Sequence, residues 1–330
     1  MTTLSIQRFG EIFSKFQDAK VAVIGDIMLD RYFWGNVSRV SPEAPVPVVD
    51  VTKEDFHLGG AANVASNLCS LGLKAELCGI VGNDTSGETF KELCKQRNIG
   101  TSGLFIDNSR PTTVKTRVFG NNQQIVRLDR ETKKEISETG QDHITVFLES
   151  QENLKAIILE DYNKGTLEKE FITKIITYAS KRNIPIFVDP KFTNFFNYVN
   201  VDLFKPNKKE AEAALGYQLS NTNDVVRAGK ELLERLHAKN VLITLGAGGM
   251  MLFKNNGSIK SVDTIAKNIS DVSGAGDTAI ASLTAAYIGG ASIEEASTIA
   301  NYAAGAVCEE PGIVSINYER LKTSIKMGQR

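Results

Sequence analysis

The spacing of apolar and polar positions changes along the chain, and the changes mark out its elements. After an amphipathic opening helix, Lys20–Gly25 (KVAVIG) is a short apolar run ending in glycine. It reads as a strand buried on both faces, with Asp26 and Asp30 at its C-terminal end. The pattern then predicts a helix over Gly60–Leu71, a strand over Lys74–Val81, a helix over Ser86–Arg97 and a strand over Lys155–Glu160. Next come a helix at Leu167–Arg182, strands at Ile184–Val188 and Val201–Phe204, helices at Lys208–Leu215 and Asn221–His237, and a strand at Val241–Thr244. Strands near Gly249–Phe253 and Ile259–Val262 and helices at Ala275–Ile288 and Ile293–Glu309 close the series. Strands alternating with helices predict an α/β fold whose helices cover a mostly parallel sheet. In Ala275–Ile288 the residues Ile280, Leu283, Thr284 and Tyr287 share one face, which is expected to pack on that sheet.

Two stretches break the rhythm. Arg31–Asp55 carries SPEAPVPVV, and Arg110–Glu131 alternates through TTVKTRVFGNNQQIVRLDRE with a turn at Gly120–Asn122, so both read as strands outside the main sheet. Together they predict a small β-lid whose exposed face holds Trp34, Val46 and Val48, a surface suited to a second subunit and hence to a homodimer, the alternative being an ordinary pair of surface hairpins in a monomer. The chain has no internal repeat, low-complexity tract or long Pro/Gly linker. One domain is expected over residues 1–330, with lid strands inserted at about 31–55 and 110–131.

Composition narrows the partners. With 42% hydrophobic and 23% charged residues, the chain can bury a large core. Lys and Arg total 38 against 39 for Asp and Glu, so bulk charge favours neither nucleic acid nor an anionic membrane. Any bound anion must be held locally. Cys69, Cys78, Cys94 and Cys308, with His57, His143 and His237, show no metal-ligand spacing and read as structural groups. The N-terminal stretch lacks the apolar core of a secretory signal, and no run reaches the roughly 20 apolar residues of a membrane span. A reducing cytoplasm is the expected compartment.

The strongest chemical signal is Asp271–Thr278 (DVSGAGDT), where small residues immediately precede an apolar helix. A helix start exposes unpaired N–H groups and a partial positive charge, and glycine lets an anion come close to the backbone. The run is either a phosphate cradle or a glycine turn followed by an aspartate that suits the helix dipole. No Lys-Ser or Lys-Thr pair follows the glycines, so it is not a P-loop, and no H-R-D or D-F-G accompanies it. Beside a nucleotide phosphate, Asp277 would have the task of accepting the nucleophile's proton.

GAGDT with Asp271 before it, GGAANVA at Gly59–Ala65, KPNKKEAE at Lys205–Glu212 and TLGAGG at Thr244–Gly249 together resemble the ribokinase (PfkB) family of sugar kinases, in the family's order and over nearly the whole chain. The resemblance implies a three-layer ribokinase-like α/β fold with a β-strand lid, and the use of ATP and Mg²⁺. It implies that Asp277 is the catalytic base, and that the amides of Gly274, Ala275 and Gly276 form the hole for the transferring phosphate. Asn207 and Glu210 match the N-x-x-E motif that helps organise Mg²⁺, and the same pair also reads as a helix capping box. Thr244, Gly246 and Gly249 match the loop along the nucleotide phosphates, and Asn301 and Ala304 the region facing the adenine. On the sugar side Asp30, Gly59, Gly60 and Asn63 match residues that contact sugar hydroxyls, which a carboxylate or amide can pair two at a time.

Gly25–Val49, GDIMLDRYFWGNVSRVSPEAPVPVV, resembles the bacterial D-glycero-β-D-manno-heptose 7-phosphate kinases, as do DYNKG (Asp161–Gly165) and VDPK (Val188–Lys191). That likeness implies phosphorylation of the anomeric hydroxyl to the 1,7-bisphosphate, on the route to the ADP-heptose of lipopolysaccharide cores. The chain ends at Arg330, and the kinase-only form is expected rather than one with a second, nucleotidyltransferase domain. Phe192 departs from the pattern, since a glycine usually follows DPK. A phosphorylated sugar needs cationic partners, and Arg39, Lys164, Lys191, Arg117 and Arg127 are the candidates. The alternatives are another family kinase acting on ribose, fructose or a similar sugar or sugar phosphate, or a non-catalytic sugar- or nucleotide-binding protein on the same fold.

Overall fold

The structure, a computed structural model, describes residues 4–16, 18–264, 271–310 and 312–328. Helix α1 (Ile6–Phe13) starts at Ser5, whose hydroxyl accepts the Arg8 N–H, and leads into β1 (Lys20–Gly25). The long strands β2 (Ile27–Val40) and β3 (Pro47–Gly60) follow, then α2 (Ala61–Ser70), β4 (Lys74–Gly82), α3 (Thr85–Gln96) and β5 (Gly100–Asp107). A hairpin of β6 (Val114–Gly120) and β7 (Gln123–Arg130) precedes α4 (Glu138–Ser150), β8 (Leu154–Glu160) and α5 (Lys169–Lys181). The second half holds β9 (Ile186–Asp189), β10 (Leu203–Phe204), α6 (Lys208–Leu215), α7 (Thr222–Leu236) and β11 (Asn240–Thr244). β12 (Met250–Lys254), β13 (Ile259–Val262), α8 (Ala275–Ile288), α9 (Ile293–Cys308) and α10 (Tyr318–Gly328) complete the described chain.

The apolar run of β1 makes it the spine of the molecule. Its residues alternate between two cores: Val21 and Val23 pack with α2, α8 and α9, while Ala22 and Ile24 pack with α4, α5 and α7. The nine-stranded sheet runs β13-β12-β11-β10-β9-β8-β1-β4-β5. Every pairing from β5 to β11 is parallel, and β12 and β13 are added antiparallel. This is the three-layer arrangement the alternation predicts. The ends of β1 and β8 meet closely at Gly25, where a Cβ would lie 2.0 Å from the Glu160 carbonyl oxygen, so only glycine fits.

The lid is a second sheet ordered β3-β2-β6-β7. β2 pairs antiparallel with β3 and parallel with β6, placing Tyr32 opposite Arg117 and Trp34 opposite Phe119. Trp34 differs from its expected place on an outer face: it is half-buried, its ring stacks on Phe119 at 4.4 Å, and its Nε1–H donates to Asp55 Oδ2 at 2.9 Å. Val48 is also half-buried, whereas Val40, Val46, Val51, Val126 and Leu128 are exposed.

Four details depart from the sequence reading. Asp30 lies inside β2, in the lid sheet, and not at the end of β1. Gly60 still belongs to β3 and caps α2. Helix α8 is buried all round from Asp277 to Ala286, held by α2, α9 and the strands β8 and β9, so it has no single sheet-facing stripe. Tyr287, at the edge, does meet the sheet, its ring 5.3 Å from that of Phe187. Finally, β5, α4 and α10 had no counterpart in the apolar pattern.

Candidate active site

The chemistry-bearing residues converge on the N-terminus of α8. Gly274 caps the helix at φ 76°, a left-handed conformation that favours glycine, and provides no side chain to occupy the first-turn amides. A Cβ there would also stand 2.8 Å from Asn63 Nδ2. Of the three amides expected to form an anion hole, that of Ala275 has an acceptor, Val272 O at 3.3 Å. Gly276 faces Asp189 and Lys205, with a hypothetical Cβ 3.6 Å from Asp189 Oδ2 and 3.7 Å from Lys205 Nζ. The first turn of α8 therefore opens onto a space bordered by a buried cation.

Asp277, in that turn, is 5% exposed. Asn63 Nδ2 on α2 donates to its Oδ2 at 2.7 Å, and the Tyr162 hydroxyl, just beyond β8, donates to its Oδ1 at 2.8 Å. The Glu160 and Asp189 carboxylates lie close by, one oxygen from each of the three falling within 4.8 Å of the others. Lys205 Nζ, 2.6 Å from Asp189 Oδ2, supplies the positive charge this cluster needs. Burial raises the proton affinity of Asp277 above the ordinary aspartate value, and Asp189 adds to this, while the Asn63 and Tyr162 donors oppose it. Glu160, fully buried and with no partner for Oε2 among the described residues, is pushed well above the ordinary glutamate value by burial and then by Asp189 and Asp277. Burial disfavours the charge on Lys205, but Asp189 outweighs it and the ammonium is retained.

On one side of Asp277 is the lid. Asp30, 2% exposed, forms an ion pair with Arg117 of β6, whose guanidinium also lies 5.3 Å from the centre of the Tyr32 ring. Gly59 runs so close that a Cβ would sit 2.3 Å from Asp30 Oδ2. Gly60 has φ 58° and would place a Cβ 2.4 Å from the Asp26 carbonyl. The strand end thus turns into α2 tightly enough to bring Asn63 to Asp277. Asp30, Gly59, Gly60 and Asn63 form one patch.

On the other side a cavity opens among Thr244, Gly246, Gly249, Gly276, Asn301 and Ala304, which brings together the residues matched to the nucleotide. Asn301 donates its side-chain N–H to the Asp263 carbonyl at 2.8 Å, fixing α9 beside β13. Asn207 and Glu210 form the capping box of α6: Asn207 Oδ1 accepts the Glu210 N–H at 2.9 Å and Glu210 Oε2 accepts the Asn207 N–H at 2.8 Å. Lys191 Nζ adds a contact of 2.6 Å to Glu210 Oε1. With both oxygens engaged, Glu210 fits a place beside hydrated Mg²⁺, holding its waters, better than a direct ligand role.

The candidate cations separate. Lys191 belongs with Glu210 and Tyr162, whose ring centre is 5.2 Å away. Lys164 pairs with Glu131 at 2.6 Å, Arg127 with Asp129 at 3.0 Å, and Arg39 is an exposed lid residue 3.9 Å from Asp50. Among these, only Arg117 meets a residue matched to the sugar. Tyr162, Glu160, Asp189 and Lys205 are site residues to which the sequence reading assigned no role. The signal for Tyr162, Asp189 and Lys205 was present in DYNKG, VDPK and KPNKKEAE, with Glu160 directly before the first, but nothing local shows that these segments meet at Asp277.

Sheet, lid and a helix start that borders a cavity are the architecture of the sugar kinases. The chain belongs to the pfkB family of carbohydrate kinases, whose model matches residues 18–319. Membership makes it an ATP-dependent carbohydrate kinase and implies ATP with a divalent cation. It is 40% identical over 306 residues to the bifunctional protein HldE of Pelobacter propionicus, covering 92% of this chain and 63% of that protein. It is 43% identical over 303 residues to the bifunctional protein HldE of Helicobacter pylori, covering 92% and 65%. The chain thus spans less than two thirds of the length of these relatives. Among solved structures it is similar to phosphofructokinase-2 from Escherichia coli, in its tetrameric inhibited form, with a TM-score of 0.77 at 20% identity over 95% of this chain and 100% of that one. It is also similar to Arabidopsis thaliana ribokinase complexed with ribose and ATP, with a TM-score of 0.75 at 19% identity over 94% and 99%. Among the described residues no helix is long and apolar enough to cross a membrane.

Proposed function

We propose that this kinase transfers the γ-phosphate of ATP to the anomeric hydroxyl of D-glycero-β-D-manno-heptose 7-phosphate, giving the 1,7-bisphosphate for ADP-heptose and lipopolysaccharide core synthesis. The observation that carries this reading is the position of Asp277, buried at the start of α8 between the cavity under Thr244 and Gly249 and the patch of Asp30, Gly59 and Asn63. The choice of sugar rests on the Gly25–Val49 passage and on the identity to the HldE proteins.

In the proposed step Asp277 accepts the proton of the sugar hydroxyl as the sugar oxygen bonds to the γ-phosphorus. The bond from that phosphorus to the ADP oxygen breaks, and ADP leaves with the electron pair. The amides of Gly274, Ala275 and Gly276 take up the charge on the transferring group, the Ala275 N–H giving up its long contact with the Val272 carbonyl, and the Lys205 ammonium beside Gly276 adds to the field. Bound Mg²⁺ would neutralise the ATP phosphates, with Asn207 and Glu210 ordering its water shell. Arg117 is the cation best placed for the sugar side, since it already meets Asp30.

ADP release in the presence of Mg²⁺ should depend on heptose 7-phosphate, with ribose, fructose and their phosphates turned over more slowly. Faster release with any of those would reject this choice of sugar. The reading also places the enzyme in the cytoplasm, as one kinase domain over the chain given, and as a homodimer through the lid. Val40, Val46, Val51, Ile125, Val126 and Leu128 are exposed lid apolars that a second copy would cover. Sedimentation should find dimers that Leu128→Asp converts to monomers. An unchanged mass in that variant would remove the lid as the interface.

A further inference from the structure

Tyr162 lies in a loop that is fixed at several points. The buried Asp26 carboxylate, just after β1, accepts the N–H groups of Tyr162 at 2.8 Å and Lys164 at 2.9 Å through Oδ2, and that of Thr166 at 3.0 Å through Oδ1. Asp161 adds two anchors, its N–H donating to the Asp189 carbonyl at 3.0 Å and its Oδ2 accepting the Tyr198 hydroxyl at 2.7 Å. The Tyr162 ring is half-buried at the edge of the site, with Lys191 Nζ near its face. The hydroxyl ends among carboxylates and donates to Asp277 Oδ1.

We infer that Tyr162 is a positioning residue for Asp277: its hydroxyl, with the Asn63 amide on the other oxygen, holds the carboxylate in one orientation and favours its charged form. The inference rests on Asp277 being the base. Each carboxylate oxygen can accept more than one hydrogen bond, so a donor on each leaves a lone pair for the sugar hydroxyl. The groups facing the carboxylate come from several elements: Glu160 at the end of β8, Asp189 at the end of β9, Lys205 just beyond β10, and Asn63 on α2. Asp189 disfavours the charge on Asp277, while Lys205, Asn63 and Tyr162 favour it. Crowding by the protein and the neighbouring Asp277 hold the Tyr162 phenol well above its ordinary value, so it stays a donor across the working range.

Tyr162→Phe removes one donor and nothing else from the pair. An ionised Asp277 is then less favoured, and the acid limb of kcat/KM for the sugar should move up by about one pH unit, with the KM for ATP unchanged. Site-specific 3-fluorotyrosine at 162 keeps ring and hydroxyl but donates more strongly, and should move the limb down. It carries the test alone if the phenylalanine variant does not fold. Limbs unmoved in both proteins, or both moved in one direction, would overturn the inference. Asp277→Asn separates this from the underlying reading. If that variant keeps turnover, the base assignment fails; if it is inactive while the limbs stay fixed, only the role of Tyr162 fails.

Discussion

Replacing Asp277 by asparagine should lower kcat by about 10³-fold or more, while the affinity for ATP changes little. The amide keeps the size of the side chain, and its oxygen can still accept from Asn63 or Tyr162, but it cannot take the sugar proton. The variant should also melt no lower than the parent at neutral pH, and this second readout guards against misfolding. Burial raises the Asp277 proton affinity in the folded chain above its unfolded value. A carboxylate raised in this way adds stability that is complete below the unfolded pKa and is lost as the pH climbs through the folded one. Wherever the folded group is ionised, its charge is a burden on the fold that asparagine removes. Lost turnover with an unchanged or higher melting temperature is the signature of a catalytic group, as opposed to a structural one. Turnover within tenfold of the parent would exclude Asp277 as the base.

The second large effect is expected at Gly59. Alanine there would put a Cβ 2.3 Å from Asp30 Oδ2 and 2.7 Å from Met28 Cγ, closer than real contacts allow. The Asp30 carboxylate must then move, although it is buried and paired with Arg117. If Asp30 holds sugar hydroxyls, losing charge-assisted hydrogen bonds of this kind should cost about 100-fold in kcat/KM for the sugar. The KM for ATP should stay within about twofold, because the cavity under Thr244 lies on the far side of Asp277. Steady-state kinetics with each substrate varied in turn checks both. Equal losses for sugar and ATP would show that the substitution disturbs the whole site, and would leave Asp30 without a specific role.

What could be read from the chain follows from how local each signal is. The run KVAVIG announces a central strand because burial on both faces demands continuous apolar residues, and the glycines before Asp277 are compatible with a helix start, where Gly274 caps at a left-handed φ of 76°. Strand β5 gave no such signal: GTSGLFID sits at the sheet edge, half-buried, and carries polar residues accordingly. In α4 the apolar stripe is diluted by Gly140 and Gln141, both buried, and α10 buries only Leu321 and Ile325. The all-round burial of α8 depends on α2 and α9, which no periodicity within α8 can report. Asp30 was attached to the wrong strand because a single peptide step at Asp26 carries the chain from one sheet to the other.

The site divides in the same way. Asp277 and its glycines, Asn63, Asn207 and Glu210 lie in segments whose spacing carries their own message. Tyr162 and Lys205 have meaning only through contacts with residues far away in sequence, Tyr162 with Asp277 across 115 positions. The Asn207–Glu210 pair shows the opposite case, where the two local readings coexist: a capping box is present, and its acid is also tied to Lys191 at the site.

The central claim is phosphate transfer to an anomeric hydroxyl, and ³¹P NMR of the product tests it most directly. With ATP, Mg²⁺ and D-glycero-β-D-manno-heptose 7-phosphate, one new sugar-phosphate signal should arise, coupled to the anomeric proton, as ATP is converted to ADP. A phosphate placed on any other hydroxyl, or ATP left unconsumed with this sugar while ribose or fructose is phosphorylated, would contradict the account.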